Sequence, residues 1–212
     1  MSGPAGNDEH QPLSRVGRKR NQRIDAILRV AAKVVAEHGY HHTSLEMVAE
    51  QVDLTKASLY HYFDSKDALL SACFEAVAQR TIDRLSAVAD AAPTPLDALR
   101  DLVAEQLKIL VLDDPDMARL FLQHQDWPPS MREEQRHWRK LHDDVFVSVV
   151  EAGVASGQLW PRDPRVALHC MHGAINYVPI WFRSRSKRED VRLLNLITES
   201  ILDIFRPSPE RH

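Results

Sequence analysis

Between Thr43 and Tyr62 two short stretches with helical spacing are separated by a turn of only three residues, Asp53-Leu54-Thr55. Thr43-Ser44-Leu45-Glu46 reads as a capping box, with the threonine accepting from an orphan amide and Glu46 reaching back. Leu45, Val48, Ala49 and Val52 then share one face. The Thr55 hydroxyl can cap the next helix, which runs to about Tyr62 with Leu59 and Phe63 inward. A turn this short obliges the second helix to dock through those two apolar residues and to present Thr55, Lys56, Ser58, Tyr60 and His61 outward.

The flanking sequence has the same helical period. Upstream, Ile24, Ile27, Leu28, Ala31, Val34 and Val35 recur at three- and four-residue spacing, and Gly39 follows where a left-handed cap is wanted. Downstream, Asp64-Ser65 caps a long helix that buries Leu69, Leu70, Phe74, Val77, Ile82 and Leu85. Ala91-Ala92-Pro93-Thr94-Pro95 is the clearest break, after which Thr94-Pro95-Leu96-Asp97 restarts a helix. A second module follows, with helices expected at 95–112, 116–126, 130–156, 163–184 and 187–205. Seven Gly residues in 212 argue against a turn-dense sheet protein, so the expected class is all-α, with about nine helices.

Several function classes drop out. The longest near-continuous apolar stretch, Val145 to Val150, is far too short for a bilayer that needs about 20 apolar residues. The first sixteen residues are polar and lack an apolar signal region, so they read as a disordered arm of a cytoplasmic protein. Cys73 and Cys170 each fall inside an apolar helical pattern and are expected as buried, reduced thiols. No nucleophile with its base and no Gly-rich phosphate loop is recognisable, so no enzyme is expected. His169 and His172 flank Cys170 at an i, i+3 spacing, but with no matched carboxylate or second thiol they predict no metal site.

Net charge is −3, yet its distribution is uneven. From Ser14 to Lys33 there are seven basic residues and one acid, whereas residues 81–212 carry 17 basic and 20 acidic residues. Attraction to phosphates acts over a Debye length of about 8 to 10 Å, so a locally basic end can face nucleic acid on an acidic body. Charge alone leaves a solvated tail equally open.

The stretch TSLEMVAEQVDLTKASLYHYFDSKDALL, Thr43 to Leu70, closely resembles the DNA-binding signature of the TetR family of transcriptional regulators, and the likeness extends from about Arg20 to Phe74. The resemblance implies a disordered arm at 1–17, a helix-turn-helix DNA-binding domain at 18–70 and a ligand-binding and dimerisation domain at 71–212. By the same resemblance Thr43, Thr55, Lys56, Tyr60, His61 and Lys66 touch phosphate or base edges. Ser58 and the basic arm Arg18, Lys19, Arg20 and Arg23 complete that face. Asp53 stands where the family usually has Gly, and Asp tolerates a positive φ. A homodimer on a palindromic double-stranded operator is implied, formed through the last two long helices.

The second module is expected to bind a small apolar effector. His124, Trp127, Trp138, His142, His172 and Trp181 fall in its middle helices, although aromatic residues at helical spacing are more often core. The run His172 to Arg183 resembles a stretch of a TetR subgroup that responds to acyl-CoA thioesters, which implies Asn176, Trp181 and Arg183 as ligand contacts. Arg183, Arg185, Lys187 and Arg188 could meet CoA phosphates. Pro179 departs from the subgroup pattern and is expected to kink its helix. A regulator of efflux or other catabolic genes sensing a CoA-free hydrophobic compound, and a helical interaction protein without DNA binding, are the alternatives.

Overall fold

The computed structural model describes residues 15–113, 115 and 127–206. Its α-helices are α1 (Arg15–His42), α2 (Leu45–Gln51), α3 (Lys56–Tyr60), α4 (Lys66–Ala91), α5 (Pro95–Lys108), α6 (Pro129–Ala155), α7 (Pro164–Trp181) and α8 (Lys187–Leu202). A π turn, Ile109–Asp113, extends α5, and a 3-10 turn, Asp203–Phe205, follows α8. The described residues contain no strand, so the all-α expectation holds, with the helix expected at 116–126 lying outside them.

Capping side chains set the boundaries. Ser65, Thr94 and Ser186 each accept the amide three residues on, and Asp163 accepts those of Arg165 and Val166. Pro95 and Pro164 occupy first-turn positions, where no amide donor is needed. Two details correct the sequence reading. The cap of α2 is Ser44, which accepts from Met47 N, while the Thr43 hydroxyl donates to the Gly39 carbonyl at 2.8 Å. Helix α1 begins at Arg15 rather than near Arg20, and it breaks at Gly39, whose φ of 78° lies in the region open to glycine.

Two cores result, and α4 belongs to both. Ile27, Leu28, Ala31, Val34 and Val35 of α1 meet Leu45, Val48, Ala49, Leu59 and Phe63, and Leu69, Leu70, Cys73 and Val77 of α4 close that cluster. Eight residues further on, Leu85 joins a second core built from Leu99, Leu102, Val103, Phe146, Val150, Met171, Ile175, Leu194, Ile201 and Phe205. A rigid helix of 26 residues, about 39 Å long, therefore connects the modules.

A second connection was not expected. Trp127 and Met131, at the entry to α6, are buried in the first core and not in the second. The Trp127 ring lies 5.5 Å from that of Tyr40, the Arg132 guanidinium donates to the Trp127 carbonyl at 2.9 Å, and the Ser71 hydroxyl donates to Glu134. Trp127 thus docks the C-terminal module onto the helix-turn-helix. Cys73 is buried as expected, but Cys170 is exposed because it lies on the outward side of α7. Pro179 falls in the last turn of α7, which stops two residues later. Among the described residues no helix is long and apolar enough to cross a membrane.

Candidate nucleic-acid interface and ligand module

Helix α3 is too short to be stable alone, and its position is fixed from outside. Leu59 is fully buried beneath it, Thr55 accepts from the Ser58 amide, and the Thr55 and Ser58 hydroxyls lie 2.8 Å apart. In the preceding turn Asp53 adopts φ 52°, the positive value anticipated where a glycine would be usual. The Arg23 guanidinium donates to the Val52 carbonyl at 2.9 Å and ties α1 to this turn. Arg23 thereby has an internal role, whereas Arg18, Lys19 and Arg20 are exposed near the start of α1.

What remains outward is a compact polar face. Thr55, Lys56, Tyr60 and His61 are exposed and Ser58 is half-buried. The Lys56 ammonium pairs with Glu46 of α2 and lies 5.9 Å from the centre of the Tyr60 ring. The hydrogen bond from Lys56 holds the Glu46 carboxyl down at about 2, and the same contact raises Lys56, so both stay charged at any physiological pH. Lys66 is half-buried, donates to the Tyr40 carbonyl at 3.0 Å and sits 4.3 Å from the centre of that ring. The Tyr40 hydroxyl donates to Asp67 at 2.6 Å, and burial followed by that carboxylate pushes its pKa to about 12. Thr43 does not reach this face: it is 3% exposed, and its hydroxyl is used by Gly39.

The expected ligand residues do not converge. His124 lies outside the described residues, and Trp127 belongs to the first core. Trp138 is half-buried and stacks edge-on against His137 at 5.4 Å. Asn176, Trp181 and Arg183 all face outward, because α7 turns Ala167, Leu168, Met171, Ile175 and Val178 toward the core and so points positions 176, 177 and 181 away from it. Arg183 donates to the carbonyls of Ile180 and Phe182 at 3.2 and 2.7 Å. His142 and His172 alone of the set meet, partly buried between α6 and α7, beside Gln106, Asp143 and Phe146. Sequence reasoning missed Gln106 and Asp143, since neither stands near a histidine of another helix until the chain folds.

Two surface features complete the module. Tyr177 and Trp181 of α7 and Leu196, Ile197 and Ser200 of α8 line an apolar groove. Arg132, Arg136 and Arg139 line a basic groove along α6 with Pro129 and Gln135.

Comparison with known proteins agrees with this layout. Residues 27–73 match the model described as bacterial regulatory proteins, tetR family, and residues 92–204 match that of a tetracyclin-repressor-like C-terminal domain. A fatty acid metabolism regulator protein of Bacillus subtilis is 22% identical over 178 residues, covering 83% of this chain and 92% of its own. The fold also matches FadR of Bacillus subtilis solved with stearoyl-CoA (TM-score 0.71, 21% identity, 86% of this chain and 99% of that one). It further matches AibR solved with isovaleryl coenzyme A and operator DNA (TM-score 0.70, 22% identity, 88% of this chain and 100% of that one).

Proposed function

Because this chain belongs to the TetR family of bacterial regulatory proteins, we propose that it represses transcription as a homodimer on a palindromic operator and is released by a small effector. It is a DNA-binding transcriptional regulator and not an enzyme. The observation that carries the reading is the outward face of α3, with Thr55, Lys56, Tyr60 and His61 exposed over a fully buried Leu59. A helix presented this way enters a major groove, where Lys56, Ser58 and Tyr60 meet base edges and thymine methyls. Arg18, Lys19, Arg20, Lys56, Lys66 and the α3 cap contact phosphates, which set register without reading sequence. Lys66 reaches a phosphate by releasing the Tyr40 carbonyl.

One recognition helix reads too few bases, and a second copy supplies the other half-site about one DNA turn away, roughly 34–36 Å. The α7–α8 groove suits that pairing. Val166, Tyr177 and Leu196 are 59%, 63% and 57% exposed in the single chain, more apolar surface than a monomer keeps on neighbouring helices. Two such helix pairs facing each other form a four-helix bundle.

For the effector, the reading is an acyl-CoA thioester. Its support is the binding of stearoyl-CoA and isovaleryl coenzyme A by the two structural neighbours, together with the arginine-lined groove on α6, whose guanidiniums suit phosphate oxygens. Helix α6 also carries the Trp127 dock onto the DNA module, so an effector that shifts α6 or the axis of α4 changes the pose of α3. A coupling of about 1 to 3 kcal/mol, typical of such linkage, lowers operator affinity 5- to 150-fold. Thermal unfolding with a panel of acyl-CoAs, free CoA and free fatty acids tests this. A ligand at 100 times its Kd raises the midpoint by about 5 to 10 °C. A shift with acyl-CoAs alone supports the thioester, a shift with fatty acids alone points to a CoA-free effector, and no shift with any removes the lipid reading.

A further inference from the structure

His142 and Asp143 on α6 and His172 on α7 each bring one donor atom to a common point, all within 4.8 Å of one another. We propose that these residues bind a divalent transition-metal ion of the zinc class. This site is separate from the DNA face and does not depend on the reading of α3.

The geometry comes first. His142 Nδ1 is 3.2 Å and His172 Nε2 is 3.7 Å from the same Asp143 oxygen. Ligand atoms about 2.0–2.2 Å from a tetrahedral metal are themselves roughly 3.3–3.6 Å apart; the two spacings to Asp143 bracket that value, and the imidazole nitrogens lie within 4.8 Å of each other, a gap that a rotation of either ring closes. The 3.7 Å separation is too long for a hydrogen bond, so Asp143 and His172 are not held by one.

The surroundings of the imidazoles agree with the distances. His142 Nε2 lies 3.0 Å from the amide oxygen of Gln106, a side chain 7% exposed on α5. Both ring nitrogens of His142 thus have a partner, Nε2 beside Gln106 and Nδ1 beside the Asp143 carboxylate, and together they fix the plane of the imidazole. The Gln106 contact is the outer-shell hydrogen bond that fixes a metal-binding imidazole. The fully buried Phe146 ring, 5.3 Å from His142 and 4.9 Å from His172, packs against both imidazoles from the core side.

Two imidazoles and one carboxylate suit zinc, cobalt or nickel and not magnesium or calcium, which prefer all-oxygen shells. Three protein ligands leave a fourth position for water or an exogenous ligand. The bound ion would join α6, which docks on the DNA module through Trp127, to α7.

The test uses the full chain stripped with chelator and titrated with Zn2+ by calorimetry and with Co2+ by visible absorption. One Zn2+ per chain is expected, with tetrahedral Co2+ bands and a midpoint raised by about 5 to 10 °C at a hundredfold excess over Kd. Asp143→Asn and His172→Gln should each weaken binding at least about 100-fold while melting near the metal-free wild type. Should either variant fail to fold, paramagnetic loss of the His142 and His172 ring resonances on adding Co2+ to the wild type locates the ion without substitution. No saturable binding up to about 100 µM, binding that survives both substitutions, or Co2+ broadening confined to the exposed histidines would overturn the site.

Discussion

Replacing Lys56 by Ala should change the salt dependence of operator binding by a calculable amount. In the free protein its ammonium is exposed and paired with Glu46, so nothing buried holds it back from a phosphate. Each phosphate contact adds about 0.9 to the slope of log affinity against log salt, and a dimer makes this contact twice, so Lys56→Ala should flatten the slope by about 1.8. Between about 50 and about 200 mM salt the wild type then loses roughly twelvefold more affinity than the variant. Fluorescence anisotropy with a labelled operator duplex measures both slopes. Two companion variants sharpen the result. Glu46 is anionic throughout the assay range, with its pKa held at about 2, so Glu46→Gln removes a negative charge from beside the DNA and should raise affinity. Tyr60 is neutral, so Tyr60→Ala should weaken discrimination between operator and random DNA while leaving the slope alone. An unchanged slope in Lys56→Ala would show that the lysine stays with Glu46 on DNA, and would refute its phosphate role.

Other consequences are equally open to measurement. Trp127→Ala empties a site that is 5% exposed within the first core, and should cost about 3 to 5 kcal/mol, lowering the unfolding midpoint by at least about 6 °C; a fall under about 2 °C would mean that the ring does not join the two modules. Burial raises the Cys73 thiol from 9.0 to about 12, so at pH 8 it holds about a thousandfold less thiolate than an unperturbed cysteine. Mass spectrometry should therefore find Cys73 unalkylated in the native protein and modified once it is unfolded, and fast native labelling would contradict its burial. Leu196→Arg places a charge in the α7–α8 groove at a position 57% exposed in one chain. It should leave chain stability within about 0.5 kcal/mol and yield monomers by sedimentation, and a persistent dimer would move the interface elsewhere.

The outward face of α3 was largely legible because its determinants are local. The Thr55 cap, the inward Leu59 and the outward Lys56 and Tyr60 follow from the periodicity of one short segment, and Asp53 was recognisable as a residue that tolerates positive φ. Thr43 was misread by one position, since Thr43 and Ser44 can each cap, and only burial of the first decides between them. The C-terminal module depends on contacts distant in sequence, which periodicity does not display. Trp127 reads as a ligand-facing aromatic until Tyr40 and the first core are brought to it. Asn176, Trp181 and Arg183 were recoverable, because the buried series Ala167, Leu168, Met171, Ile175, Val178 already points them outward. The pairing of Asp143 with His172 was not recoverable, since only the packing of α6 against α7 creates it.

Whether the chain reads DNA as a symmetric pair of recognition helices can be measured even though its operator sequence is unknown. Purified protein selects duplexes from a random pool, and the bound fraction is sequenced. Enrichment of a palindrome whose half-site centres lie about 10 base pairs or a multiple of that apart is the predicted result. Enrichment of a single asymmetric site, or none above the starting pool, would contradict it.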